Sequence, residues 1–118
     1  MVDLERLVDD YCKAWFDPEP DRRKALLLAS VEPDVIYCDP TVEIAGVAAL
    51  GEHIDHVLAS RPGFWLERTS AVDHHHGYLR FNWVQRRPND YRGPECVDFC
   101  RLSETGKLAM IIGFFGGK

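Results

Sequence analysis

Apolar residues recur at helical spacing in the first half of the chain. The longest such stripe consists of Leu4, Leu7, Val8, Tyr11, Cys12 and Trp15. Because these residues lie three or four positions apart, they share one face of an amphipathic helix. Asp3 is placed to cap its start, and the segment from Asp17 to Pro20 ends it, since proline cannot continue a helix. The same pattern predicts a short second helix over about residues 22–30 and a third over about residues 47–60.

Strand patterns dominate the rest of the chain. Residues 34–38 are β-branched and aromatic and are followed by the turn Asp39-Pro40, so they predict a first strand. After the third helix the pattern predicts four strands, over residues 64–73, 77–87, 94–103 and 107–115. Turn-forming residues connect these strands, as expected between antiparallel neighbours. The order of elements therefore predicts an α+β fold, with three N-terminal helices packed on one face of a curved antiparallel sheet.

The alternation of residues along each strand assigns side chains to the two faces of the sheet. One face of the strand over residues 77–87 carries Leu79, Phe81 and Trp83. One face of the strand over residues 94–103 carries Cys96, Asp98, Cys100 and Leu102. The last strand is apolar on both faces, with Ala109, Ile111 and Phe115 alternating with Leu108, Met110, Ile112 and Phe114. One face can pack on the helices, and the other needs a second cover. In a chain this short, that cover is most simply another subunit, so we expect a homodimer through the outer sheet face.

Composition narrows the classes of function. The 118 residues are expected to form one domain, spanning 1–118. A formal net charge of −5 disfavours a nucleic-acid partner, because phosphate contacts need clustered basic residues. No apolar run approaches the roughly 20 residues that span a bilayer, and residues 1–5 do not resemble a signal peptide. We therefore expect a cytoplasmic protein with no membrane partner. The four cysteines contain no Cys-x-x-Cys pair, so we expect free, buried thiols.

Three polar residues occupy positions that the pattern directs inward. Tyr11 lies in the apolar stripe, Asp39 ends the first strand, and Asp98 alternates with two cysteines. A buried carboxyl group either finds hydrogen-bond donors or keeps its proton, because desolvation raises its pKa. Two such carboxyls and a phenol on one pocket can divide into a base and proton-donating partners. The structural alternatives are a core tyrosine at Tyr11, a turn-former at Asp39, and a solvent-facing Asp98 if the strand alternation is inverted.

A pocket for a small hydrophobic molecule is expected between the helices and the sheet. Its expected lining consists of Trp15, Leu79, Phe81, Trp83, Cys100, Ile111 and Phe115, with His76 as a candidate at its mouth. The favoured interpretation of the run His74–His76 is a solvated turn. The alternatives are a metal site, and a single histidine, His75 or His76, that serves the pocket as an auxiliary acid or base. No common order of metal ligands is present, so we expect neither a metal nor a cofactor.

Taken in order, these residues resemble a known family. Tyr37-Cys38-Asp39-Pro40 followed by Gly46 and a helix is similar to the SnoaL-like branch of the nuclear transport factor 2-like superfamily, and so is the segment 98–115. This resemblance covers nearly the whole chain and implies a cone-shaped fold. Ketosteroid isomerases of that fold carry a tyrosine and two aspartates at places that match Tyr11, Asp39 and Asp98. The resemblance implies that Asp39 is the general base beside a carbonyl group, and that Tyr11 and a protonated Asp98 hydrogen-bond the enolate oxygen.

The chain also departs from the ketosteroid isomerases. Residues 17–20 lengthen and stiffen the link that follows the first helix, and four bulky aromatic residues reduce the room for a steroid, namely Trp15, Phe81, Trp83 and Phe115. Cyclisation of the polyketide-cyclase type fits the residues as well as isomerisation does. The competing class is a non-catalytic module of the same fold that binds a small ligand or dimerises. An epoxide hydrolase is disfavoured because it needs an arginine between the two aspartates, and Arg80 and Arg101 face away from Asp98.

Overall fold

Three helices lie among residues 3–116, which are the residues that the computed structural model describes. They are α1 (Leu4–Lys13), α2 (Pro20–Ser30) and α3 (Val47–Ser60). All three predicted helices are confirmed. Asp3 caps α1 by accepting a hydrogen bond from the backbone N–H of Arg6. Helix α2 begins two residues earlier than predicted, because Glu19 caps it and proline suits the first turn of a helix.

Eight strands form one sheet. They are β1 (Val31–Asp39), β2 (Val42–Ala45), β3 (Trp65–Arg68), β4 (Asp73–His75), β5 (Tyr78–Arg87), β6 (Tyr91–Arg92), β7 (Cys96–Leu102) and β8 (Leu108–Phe114). The strand order is β2-β1-β8-β7-β5-β3, and β4 and β6 both pair with β5. The single strand expected over residues 64–73 is divided into β3 and β4. Between them, the hydroxyl of Ser70 accepts the hydrogen bond that the backbone N–H of Asn82 would give to a neighbouring strand.

The sheet is mixed, which corrects the expectation of a wholly antiparallel sheet. Strands β1 and β8 run parallel, with Tyr37 beside Ile111 and Cys38 beside Ile112. The other strand pairs among residues 3–116 are antiparallel. Helix α3 separates the first two strands from the later ones, so β1 does not continue their hairpins and instead pairs with the last strand. The rest of the expected α+β fold, with three helices packed on a curved sheet, is confirmed.

The inner face of the sheet packs on the helices. The expected alternation is confirmed in β5 and β7, where Phe81 and Cys100 are buried and Tyr78 and Phe99 are exposed. Strand β8 departs from it, because Leu108 is fully buried although the alternation places it outside. A register shift in the pairing of β7 with β8 puts an extra residue after Leu108 and turns its side chain inward.

The outer face of the sheet carries exposed aromatic rings. Tyr78, Phe99 and Phe114 are each more than two-fifths exposed, and the last two pack edge to face with ring centres 5.8 Å apart. The homodimer through this face stays a prediction. The four cysteines are free thiols, and three of them are buried. None of the helices described between residues 3 and 116 is long and apolar enough to cross a membrane.

Candidate functional site

A cavity of about 90 Å³ lies between the helices and the inner face of the sheet and opens to solvent. Seven aromatic residues line it, namely Tyr11, Trp15, Tyr37, Phe64, Phe81, Trp83 and Phe115. Its polar lining comes from Asp39, Thr41, His53, Arg61, Gln85 and Asp98. A closed cavity of about 150 Å³ is enough to hold benzene. The enclosed part of this site is smaller than that, so it suits one end of a ligand that extends through the opening.

The three polar residues expected at the site, Tyr11, Asp39 and Asp98, all line this cavity. Asp39 ends β1 and Asp98 lies in β7, on either side of β8. The residue of β8 between them is Gly113, which pairs directly with Asp98. A Cβ atom on Gly113 would lie 3.0 Å from Oδ1 of Asp98 and 3.5 Å from Cβ of Asp39. The absence of a side chain at this position therefore leaves the two carboxyl groups facing one space.

The Asp39 carboxyl group accepts four hydrogen bonds. The Tyr37 hydroxyl donates to Oδ2 over 2.6 Å. The backbone N–H and the hydroxyl of Thr41 each donate to Oδ1 over 2.7 Å, and the backbone N–H of Val42 donates to Oδ1 over 3.2 Å. Burial acts to raise the pKa of Asp39, but these hydrogen bonds together outweigh it and hold the pKa below its ordinary value. Asp39 is therefore ionised at neutral pH.

The Asp98 carboxyl group has a different environment. Only 6% of the residue is exposed, and its one hydrogen bond to a residue within 3–116 comes from the indole Nε1 of Trp83, over 3.0 Å to Oδ1. Burial raises the pKa of Asp98 to about 7, the charge of Asp39 adds to that effect, and the bond from Trp83 opposes it. An indole N–H can only donate. When Asp98 is protonated, its proton is therefore carried by Oδ2, which is left to donate a hydrogen bond.

Tyr11 adds a second donor. The residue is 2% exposed, and burial raises the pKa of its phenol well above the ordinary value, with nearby Tyr37 and Asp98 adding to the effect. The phenol is therefore neutral over the ordinary pH range. Among residues 3–116, no group accepts a hydrogen bond from the Tyr11 hydroxyl. Below about pH 7, the wall of the cavity thus presents one ionised carboxylate and two neutral donors.

The expected apolar lining is only partly brought together. Trp15 follows α1, and Phe115 follows β8 with its ring packed edge to face on Trp83, 6.1 Å between ring centres. Both line the cavity, as do Phe81 and Trp83. The other three expected apolar residues, Leu79, Cys100 and Ile111, are buried in the core but do not line the cavity.

The expectation that a histidine of the run reaches the mouth is corrected. His76 lies in the turn between β4 and β5, exposed, with a positive φ of 52° and its ring nitrogen 3.1 Å from that of His75. Along β5 it is seven positions from Trp83, or roughly 23 Å of extended chain. The run thus forms a solvent-exposed turn. No group of three or more His, Cys, Asp or Glu side chains within the described part of the chain is arranged to hold a metal ion.

Two polar residues at the centre of the site were not anticipated from the sequence. Tyr37 shares the inner face of β1 with Asp39, so the same alternation that was applied to β5 and β7 would have found it. Thr41 lies in the short turn between β1 and β2, where a residue two positions after an aspartate commonly donates to its side chain. Further unanticipated residues of the lining are Cys12, His53, Val57, Arg61, Phe64, Leu66 and Gln85.

These elements define the nuclear transport factor 2-like fold, as the comparison with solved structures shows. A protein named as an isomerase of the SnoaL-like family, from Agrobacterium tumefaciens strain C58, superposes with a TM-score of 0.88 and 22% identity, over 95% of this chain and 96% of that one. A protein with a ketosteroid isomerase-like fold from Catenulispora acidiphila, in complex with trimethylamine, gives a TM-score of 0.75 and 11% identity, over 93% and 85%.

A third solved structure comes from a protein of Sinorhizobium meliloti named as a polyketide cyclase. It gives a TM-score of 0.72 and 13% identity, over 92% of this chain and 93% of that one. No protein-family model and no curated relative matches the sequence. At these identities the similarity shows the fold alone, and the activity has to be argued from the site.

Proposed function

We propose that the chain catalyses cofactor-free proton transfer on a small hydrophobic carbonyl compound. One observation carries the proposal. Two carboxyl groups of unequal acidity, the ionised Asp39 and the buried Asp98, face one cavity across Gly113. Carboxyl pairs whose surroundings drive their pKa values apart are typical of sites that need a base and an acid at the same pH.

The proposed reaction begins with the carbonyl oxygen of the substrate between the Tyr11 hydroxyl and Oδ2 of Asp98. Asp39 removes a proton from the carbon beside the carbonyl, and the electron pair of that C–H bond moves to the oxygen to give an enolate. The two donors stabilise this developing charge in a cavity lined by aromatic rings. In an isomerisation, Asp39 returns the proton to a different carbon. In a cyclisation, the enolate carbon attacks the carbon of a second carbonyl group of the same molecule, the electron pair of that C=O bond moves to its oxygen, and this oxygen takes the proton that Asp39 holds.

The hydrogen bonds inside the protein support this division of roles. The donors on Asp39 satisfy a charged carboxylate, which a base requires before it accepts a proton. The Tyr11 hydroxyl and Oδ2 of Asp98 are still free to donate. A substrate oxygen would complete both of these hydrogen bonds, and an apolar ligand would complete neither.

A direct test follows the isomerisation of cyclohex-3-enone to its conjugated isomer by ultraviolet absorbance. We expect wild type to accelerate the reaction and Asp39→Asn to reduce kcat on the order of a hundredfold or more, since an amide cannot take the proton. Asp90→Asn is the matched control, because Asp90 is exposed in the turn after β5 at a positive φ that asparagine tolerates. Equal rates for wild type and Asp39→Asn would show that Asp39 is not the base.

A second candidate is the binding of a small organic cation without catalysis. The aromatic wall and the two carboxyl groups favour it, since ring faces and carboxylates both attract ammonium groups. The Catenulispora acidiphila protein in complex with trimethylamine adds support. Calorimetry with trimethylammonium and with neutral tert-butanol separates the candidates. Binding of the cation alone, with no acceleration of cyclohexenone isomerisation, would favour the binding protein.

A further inference from the structure

Tyr37 is the closest polar neighbour of the proposed base. It lies two residues before Asp39 on the same face of β1, and its hydroxyl reaches Oδ2 of Asp39 over 2.6 Å. The ring is almost fully buried and packs against Trp15 and His53, with ring centres 5.5 and 6.2 Å away. A bond this short to a carboxylate is typical of a charge-assisted hydrogen bond. These two ring contacts and the burial of the side chain hold the phenol in place.

The two oxygens of Asp39 are not equally available. Oδ1 accepts three hydrogen bonds from Thr41 and Val42, all within the turn that links β1 to β2. Such a cluster of donors leaves little capacity on that oxygen. Among residues 3–116, Oδ2 accepts a hydrogen bond from Tyr37 alone, so it is the oxygen with a lone pair left for chemistry. The Tyr37 hydroxyl therefore acts on the atom that would take the proton.

We propose that Tyr37 is a positioning residue for the Asp39 base, because its hydroxyl fixes the orientation of Oδ2 and favours the charged form of the carboxylate. This inference rests on the proposed function for its catalytic meaning. A hydrogen bond to the charged form of an acid stabilises that form, lowers the pKa and makes the carboxylate a weaker base. Tyr37 thus lowers the basicity of Asp39 somewhat and holds Oδ2 in one orientation for removing the proton. Near-attack geometry of this kind supplies much of the rate of an enzyme.

Other titratable groups share the cavity with Asp39. Asp98 faces it from β7 across Gly113, and the remaining groups lie on helices α1 and α3 or beside them: Tyr11, Cys12, His53 and Arg61. Tyr37 is the one whose hydrogen bond to Asp39 is seen among residues 3–116. Its removal therefore changes the surroundings of Oδ2 most directly, while the Coulombic influence of the other groups stays in place.

The test is Tyr37→Phe, which keeps the ring and removes the hydroxyl. We expect the pKa of Asp39, measured by carbon-13 NMR of the labelled carboxyl, to rise. The acid limb of the kcat/KM profile for cyclohex-3-enone moves to higher pH with it. At neutral pH we expect kcat to fall about tenfold with less than a twofold change in KM, as for an interaction that orients the base in the transition state.

Two further proteins separate positioning from simple packing. Tyr78→Phe removes a hydroxyl from an exposed tyrosine on the outer face and leaves the pKa of Asp39 and the rates unchanged. Replacing Tyr37 with 3-fluorotyrosine, a slightly more acidic phenol of nearly the same size, keeps the bond and moves the pKa of Asp39 downward. A merely structural role would lower the melting temperature of Tyr37→Phe and leave the titration of Asp39 as it is in wild type.

The results distinguish this inference from the proposed function. If wild type does not isomerise cyclohex-3-enone, the proposed function is contradicted for this class of substrate. The NMR titration of Asp39 in wild type and Tyr37→Phe still decides whether the Tyr37 hydroxyl lowers the pKa of Asp39. If wild type is active and Tyr37→Phe leaves both the pKa of Asp39 and the acid limb unchanged, the inference on Tyr37 is overturned.

Discussion

The indole Nε1 of Trp83 donates a hydrogen bond to Oδ1 of Asp98 over 3.0 Å, from a neighbouring strand of the same sheet. This bond has two consequences. It favours the charged form of a carboxyl group that burial otherwise keeps neutral, and it directs the proton of the neutral form to Oδ2. Trp83 is therefore both part of the apolar wall and a control on the acidity of Asp98.

The first prediction concerns the alkaline limb of activity. Because the pKa of Asp98 is about 7, a reaction that needs protonated Asp98 loses rate as the pH rises through that value. Trp83→Phe removes a bond that lowers this pKa, so the pKa rises and the alkaline limb of kcat/KM moves to higher pH. The control is Trp65→Phe, which changes an exposed ring on β3. An alkaline limb at the same pH in Trp83→Phe and wild type would contradict the role of this bond.

The second prediction concerns stability. Folded Asp98 has a pKa of about 7, against 3.8 for an unfolded aspartate. Between these values the folded chain holds a proton that the unfolded chain has lost. Wild type therefore loses stability as the pH rises from about 4 to about 7, by at most about 4 kcal/mol, and the effect levels off above that range.

Asp98→Asn removes this titration. We expect the free energy of unfolding in urea to favour Asp98→Asn over wild type increasingly from about pH 4 to about pH 7. Asp39 has a lowered pKa, so its contribution to stability is lost as the pH falls through and below the acidic edge of this range, and both proteins carry it. A constant difference between the two proteins over the whole range would show that Asp98 does not titrate there.

The third prediction uses Gly113. In Gly113→Ala the new methyl group lies 3.0 Å from Oδ1 of Asp98, which is too close for an unchanged carboxyl. We expect Asp98 to move and its bond from Trp83 to weaken, with a loss of about 1–3 kcal/mol in stability and a larger loss of activity. Gly51→Ala in α3 is the control, because its methyl group meets Leu27 at an ordinary 3.8 Å and a helix favours alanine. Full activity in Gly113→Ala would show that the space between the carboxyls is not used.

The fourth prediction concerns the outer face of the sheet. If a second copy of the chain covers Phe99 and Phe114, sedimentation velocity at micromolar concentration gives a dimer for wild type. Phe99→Arg should then give a monomer, because a charge would be buried in the interface. Leu28→Arg, on the exposed side of α2, should remain a dimer. A monomeric wild type at that concentration would contradict the homodimer.

Much of the site could be predicted from short-range patterns. Helical spacing directs Tyr11 inward, and the period of two along β7 directs Asp98 inward, because each pattern depends only on near neighbours in the sequence. The meeting of Asp39 with Asp98 follows instead from the parallel pairing of β1 with β8. That pairing joins residues more than 70 positions apart, and no local pattern specifies it.

Other details depend on side-chain geometry or on irregular backbone. The bond between Tyr37 and Asp39 requires a particular orientation of both side chains, which alternation does not supply. The burial of Leu108 follows from a register shift that leaves no mark on the hydrophobic pattern. His76 lies away from the cavity because β4 pairs with the first residues of β5, and the turn that joins the two strands carries His76 beyond the end of the sheet.

The strand order also makes the site depend on the last strand. Strand β8, the last strand of the sheet in the sequence, lies between the strands that carry Asp39 and Asp98. Until it inserts, the two carboxyl groups have no shared wall and Gly113 provides no gap between them. A partly folded chain can thus contain every residue of the site and still lack the site itself. Enzymatic turnover would then require β8 to be in place in the sheet, and not merely the residues of the site to be present in the chain.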